Sequence, residues 1–199
     1  FHGAFAGGST PGAANAELAG RGAEAGFERW HAWFGDERCV PPEDAYSNYR
    51  MVRESRLLAR LPPRQIHRMR GEALEPEHEA WRYARELCAV LGSPPRLDLV
   101  LLGLGADGHT ASLFPGTPAL AAGGWVAVGR SPSAPHERLT LSLHALAKAR
   151  NVLFLVAGQD KAAALSRSIG ASVDEGLPAS RVRPRSVLWL VDRLAASCS

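Results

Sequence analysis

LDLVLLGL (Leu97–Leu104) runs directly into GADGHTASLFPG (Gly105–Gly116). The unbroken apolar character of Leu99–Leu102 fits a central strand buried on both faces. The polar stretch that follows puts a carboxylate, Asp107, and an imidazole, His109, where that strand ends. Open α/β sheets build their active sites at that position. Gly108 separates the two side chains and lets one loop aim both into a single crevice. Two further apolar runs deliver polar loops in the same way. Trp30–Phe34 leads into Gly35, Asp36, Glu37 and Arg38, and Phe1–Ala6 leads into Gly7, Gly8, Ser9, Thr10 and Pro11. Three such loops predict one composite site.

Working outward, seven apolar runs read as strands: 1–6, 30–35, 97–104, 125–128, 139–141, 152–157 and 187–191. Between several of them, segments 47–58, 77–91, 161–169 and 192–196 carry apolar residues at the three-and-four spacing of a helix. This alternation predicts an α/β fold of three layers, a doubly wound and mostly parallel sheet, in a single domain over residues 1–199. Pro41 and Pro42, Pro62 and Pro63, Pro94 and Pro95, Pro132, Pro135 and Pro178 fall where connections are expected. The chain opens at Phe1 inside an apolar run, and a further helix ahead of it is expected.

The formal net charge is +3, and only Lys148 and Lys161 among the 23 basic residues are lysine. The basic residues are scattered, without the stripe that a nucleic-acid surface needs, so an anionic small molecule is the expected partner. No apolar run reaches the ~18 residues of a membrane span. Neither nucleic acid nor membrane is expected as a partner, and the expected assembly is a monomer or weak homodimer. Cys39, Cys88 and Cys198 are odd in number and lack CxxC spacing, which argues against disulfides and thiolate metal sites and for a reduced, cytoplasmic protein. No compact ligand set suggests a metal, and no cofactor is expected.

Each loop has its own chemistry. Gly7 and Gly8 let backbone N–H groups approach an anion, and Ser9 and Thr10 add hydroxyl donors at the start of a helix that Pro11 can open. Seen alone, this is also an ordinary capped turn. Arg38 offers a fork for a phosphate or carboxylate, with Asp36 beside it and Asn48 in the following Ser47-Asn48-Tyr49 run. An imidazole is the side chain best suited to take a proton from water near neutral pH, so His109 is the candidate base, with a nearby Asp fixing its tautomer. Arg138 opens the run RLTLS, and Lys161 stands at a helix start, an unfavourable place for a purely structural cation.

AGGSTP (6–11), WFGDERCVPPEDAYSNYRM (33–51), the stretch 97–116, ERLTLS (137–142), VAGQDKAAAL (156–165) and LPASRVRPRSVLWLVDRLAA (177–196) together resemble the 6-phosphogluconolactonase family. The resemblance covers nearly the whole chain. It implies a Rossmann-like fold of the glucosamine-6-phosphate deaminase and ribose-5-phosphate isomerase type. It also implies hydrolysis of 6-phospho-D-glucono-1,5-lactone to 6-phosphogluconate, a step of the oxidative pentose phosphate pathway. In that reading His109 is the general base, Asp107 or Asp36 orients the imidazole or the substrate hydroxyls, and backbone N–H groups of Gly105–Gly108 meet the oxyanion. Arg38, Arg138 and Lys161, with Gly8, Ser9, Thr10 and Asn48, hold the substrate and its phosphate. Related deaminases carry Glu five residues after the His. Here Phe114 stands there, followed by Pro115 and Gly116, so the deaminase proton relay loses a member. A sugar-phosphate-sensing domain shares the fold, yet it needs no base and is usually attached to a DNA-binding helix-turn-helix, which is not visible in the sequence.

Overall fold

The computed structural model describes residues 1–21, 25–170 and 172–197; Cys198 lies outside the described residues. Five strands, β1 (His2–Phe5), β2 (His31–Phe34), β4 (Leu99–Leu102), β7 (Asn151–Val156) and β8 (Ser186–Val191), form a parallel sheet in the order β2-β1-β4-β7-β8. Strands β1, β2 and β4 are mostly buried on both faces, the edge strand β8 exposes Leu188 and Leu190, and strand alternation divides the buried residues between two cores. Ala4, Trp33, Val100, Leu102, Val152 and Phe154 enter one apolar cluster. Phe5, Ala32, Phe34 and Leu101 enter the other. This is why the central strands read as continuous apolar runs rather than alternating ones.

The strand order departs from the chain order between β1 and β4, so neighbouring strand ends diverge and open a crevice at their C-terminal ends. Helix α1 (Ser9–Ala19) follows β1, and α2 (Asn48–Glu54) follows the second polar loop. Helix α3 (Pro76–Leu91) opens with proline at its first turn and buries Ala80, Tyr83 and Leu87, the stripe expected of an amphipathic helix. The Tyr83 hydroxyl accepts from the Phe34 N–H at 2.9 Å and so fastens α3 to the end of β2. Helices α4 (Leu143–Lys148) and α5 (Ala162–Ser168) flank β7.

A second sheet accompanies the first. Strands β3 (Asp36–Arg38), β6 (Glu137–Leu141) and β5 (Val126–Arg130) pair antiparallel in the order β3-β6-β5. Asp36–Arg38, expected as a loop, is therefore a strand whose polar residues are held by β6, with Asp36 opposite Thr140 and Arg38 opposite Arg138. The helix expected over 192–196 is a turn, closed by Ala196 N–H donating to Asp192 C=O at 3.0 Å. The helix expected over 47–58 ends early, because Arg56 adopts a positive φ of 66° that breaks the helical path.

Candidate active site

The three predicted loops meet. Gly8, Ser9 and Thr10 from the first, Asp36, Arg38 and Asn48 from the second, Gly105 and His109 from the third, and Lys161 ahead of α5 line one cavity of about 250 Å³ at the strand ends. Asp107 and Arg138 are not on its wall.

Asp107 stands behind His109. Its Oδ1 lies 2.6 Å from His109 Nδ1 and also accepts the His109 backbone N–H at 3.1 Å. A carboxylate on Nδ1 fixes the proton there and leaves Nε2 with a free lone pair. Burial works against the Asp107 charge, but the His109 backbone N–H, the His109 charge and the ring contact together hold its carboxyl below the usual aspartate range. The pairing depends on Gly105, since a Cβ there would sit 2.0 Å from His109 Nδ1 and 2.5 Å from Asp107 Oδ1. Phe114 packs its ring against the imidazole with centroids 4.5 Å apart.

Asp36, the alternative partner for His109, faces elsewhere. Its Oδ2 accepts from the Ser112 hydroxyl at 2.7 Å and its Oδ1 from Asn48 Nδ2 at 3.1 Å. Asn48, expected to touch the ligand, has its side chain committed. Nδ2 also donates to the Asp36 carbonyl at 2.9 Å, and Oδ1 accepts from Arg38 Nη1. Arg38 donates from the same nitrogen to the Tyr46 carbonyl at 2.8 Å. The guanidinium is thus oriented by neutral acceptors, and it keeps its charge for the cavity.

Arg138 stands behind the cavity wall. It is buried beside its cross-strand neighbour Arg38, and among the described residues its guanidinium makes a long 3.3 Å contact to the Glu137 carbonyl. Burial first, and then the charge of Arg38, lowers its pKa. Lys161 reaches the cavity wall while paired with the exposed Asp160 at 2.8 Å. The glycine N–H groups expected to meet an oxyanion are engaged. Gly105 donates to the His109 carbonyl at 2.8 Å and Gly108 to the Gly105 carbonyl at 2.9 Å.

The first loop ends in an uncapped helix start. Helix α1 starts after Gly8 with no side-chain cap and no acidic residue in its first turn, so its N-terminal amides and dipole are not answered from within the helix. Gly7 has no space for a side chain, because a Cβ would fall 1.8 Å from Asn48 Oδ1.

Sequence reasoning missed Ser112 and Glu37. Glu37 is almost fully buried, and its carboxylate accepts the backbone N–H groups of Arg38, Asn48 and Tyr49 at 2.8, 2.6 and 2.7 Å, with the Ser47 hydroxyl at 3.1 Å. Burial raises its pKa, and the three backbone bonds work against that rise. It pins the start of α2 to β3 and so sets where Asn48 stands. The available signal was an acidic residue just beyond a strand end, 10 residues ahead of a helix start at Ser47.

The family model for glucosamine-6-phosphate isomerases/6-phosphogluconolactonase matches residues 1–190. The chain belongs to this family. A 6-phosphogluconolactonase from Synechocystis is 40% identical over 200 residues, covering 96% of this chain and 82% of the relative. One from Rattus norvegicus is 40% identical over 179 residues, covering 86% and 69%. The solved structure of the 6-phosphogluconolactonase from Trypanosoma brucei superposes with a TM-score of 0.82 at 31% identity, covering 98% of this chain and 85% of that one. The mostly parallel α/β architecture is therefore that of the isomerase/lactonase family.

Proposed function

We propose that this protein hydrolyses 6-phospho-D-glucono-1,5-lactone to 6-phosphogluconate, with His109 as general base. The observation that carries the catalytic reading is the His109–Asp107 pair. One imidazole nitrogen is fixed by a carboxylate at 2.6 Å, and the ring is on the wall of a cavity that also presents Arg38, Lys161 and the N-terminus of α1.

In this scheme Nε2 of His109 removes a proton from water as the water oxygen bonds to the lactone C1. The negative charge that develops on the carbonyl oxygen lies in the positive field of the cavity cations. When the tetrahedral centre collapses, the bond from C1 to the ring oxygen breaks. The imidazolium returns its proton to the departing oxygen, which becomes a hydroxyl. Asp107 holds the ring and supports its transient charge. The phosphate is taken by Arg38, Lys161, and the Gly8, Ser9 and Thr10 turn, where a helix N-terminus favours a dianion. Asp36 and Asn48 act behind Arg38 rather than at the reacting atoms, and Arg138 adds positive potential from behind the wall. The scheme uses no metal or cofactor. The reaction is placed in the cytoplasm, with the phosphorylated lactone as the sole partner of a monomer or weak homodimer; no helix among the described residues is long and apolar enough to cross a membrane.

Phe114 favours lactonase over deaminase. Its ring packs on His109 and holds the sequence position at which the related deaminases carry the relay Glu. The test is to offer the protein freshly generated 6-phosphogluconolactone and, separately, glucosamine 6-phosphate. Acid release above the spontaneous rate, without ammonia, is expected. Ammonia release at a rate comparable with lactone hydrolysis would overturn the assignment.

A further inference from the structure

The His109 loop and the Arg38 strand come from distant parts of the chain, and one buried hydrogen bond joins them. The Ser112 hydroxyl donates to Asp36 Oδ2 at 2.7 Å across 76 residues of sequence. Ser112 is 1% exposed and does not line the cavity. Its backbone N–H donates to Thr140 Oγ1 at 3.2 Å, which anchors the same loop to β6. From Asp36 the chain of contacts continues through Asn48 to Arg38 Nη1.

The order of groups in this chain has a physical logic. Among the described residues no cation lies within salt-bridge distance of the buried Asp36 carboxylate. A direct pair with Arg38 would cancel the positive charge and draw the guanidinium away from the cavity. An interposed primary amide avoids both effects, because it accepts from the guanidinium with Oδ1 and donates to the carboxylate with Nδ2. The carboxylate in turn needs a donor on its far oxygen to stay buried and fixed, since an unanswered buried charge is costly. Ser112 is that donor.

We infer that Ser112 is a positioning residue that acts through Asp36 and Asn48 to hold Arg38 at the phosphate end of the cavity, in register with the loop that carries His109. This rests on the lactonase reading and on Arg38 as a phosphate ligand. Loss of the hydroxyl leaves Asp36 free to turn, and Arg38 loses its fixed angle toward the cavity.

A double-mutant cycle tests this with the wild type, Ser112→Ala, Arg38→Ala and the double variant, each measured for kcat and KM on 6-phosphogluconolactone and on unphosphorylated glucono-1,5-lactone. Ser112→Ala is expected to raise KM for the phosphorylated lactone by about 10-fold, the scale of one hydrogen bond to a charged group, with kcat and the unphosphorylated substrate unchanged. In the Arg38→Ala background it should have no further effect. Ser112→Cys, which keeps the size and a weak donor, should fall between wild type and Ala, and it carries the same comparison if Ser112→Ala does not fold. An equal loss on both lactones, or the same loss with and without Arg38, would overturn the inference. A wild type that fails to hydrolyse the lactone refutes the lactonase reading. The cycle is then read from the affinity for inorganic phosphate by calorimetry, where additive losses again overturn the role of Ser112 and non-additive ones support it.

Discussion

His109 and Asp107 form the shortest functional lever in the molecule, because a single contact of 2.6 Å sets which imidazole nitrogen carries the proton. Replacing Asp107 by Asn keeps the size of the side chain and removes the charge that stabilises the imidazolium. Turnover is expected to fall by roughly 10- to 100-fold, within the range assigned to acid–base assistance, with KM little changed. Steady-state kinetics on the phosphorylated lactone checks it, and an unchanged kcat would show that the pair is only structural. Phe114 makes a second residue-scale case. Phe114→Glu supplies the missing carboxylate, yet it should release no ammonia from glucosamine 6-phosphate, because relay members must be mutually oriented by their surroundings.

At the scale of elements, the turn after β4 exists in this shape because Gly105 yields its side-chain space to the His109–Asp107 pair. Gly105→Ala should therefore leave the sheet and its thermal midpoint nearly intact while pushing His109 off its carboxylate. Activity should fall toward that of a His109 variant, and a Gly105→Ala protein with normal turnover would contradict the geometry. This turn was legible in the sequence, since an apolar run followed by glycines around Asp and His has few other uses. Strand β3 was not, because Asp36, Glu37 and Arg38 read as a polar loop beyond a strand end and become a strand only through pairing with β6 far along the chain. Helix α1 was also faint. Its Ala-rich sequence buries only Pro11 and Asn15 and has no stripe of large apolar residues, so only its start, in Gly7–Pro11, was legible. Arg138 and Asn48 were expected at the ligand from their place at strand ends and from the family resemblance. Which neighbour consumes a guanidinium or an amide is decided by tertiary contacts, and pattern reading has no access to those.

Over the whole molecule, one histidine cluster outside the cavity is expected to contribute to acid sensitivity. His2 stacks on His31 with centroids 4.4 Å apart and accepts the Trp33 indole N–H at 3.2 Å. His31 continues the stack to His67, which meets Glu86 at 2.6 Å. Burial, and then the neighbouring His31 charge, pushes His2 down to about 4, and burial followed by His67 lowers His31. Asp98 acts on His2 in the opposite sense. The unfolded chain thus binds a proton below about 6.5 that the folded one refuses. Stability is full above that pH and falls as pH drops toward 4. Denaturant midpoints at pH 7, 6 and 5 should decline, and His2→Gln should flatten the decline while other titrating groups cancel in the comparison; identical slopes would count against the cluster.

Removal of a proton from water by His109 to open a phosphorylated lactone is tested by the initial rate of acid release from freshly generated 6-phosphogluconolactone, corrected for spontaneous hydrolysis, for the wild type and folded His109→Asn. The wild type should hydrolyse the lactone rapidly and the variant should lose about 100-fold or more, the scale of a missing general base. Equal rates for the two proteins would contradict it.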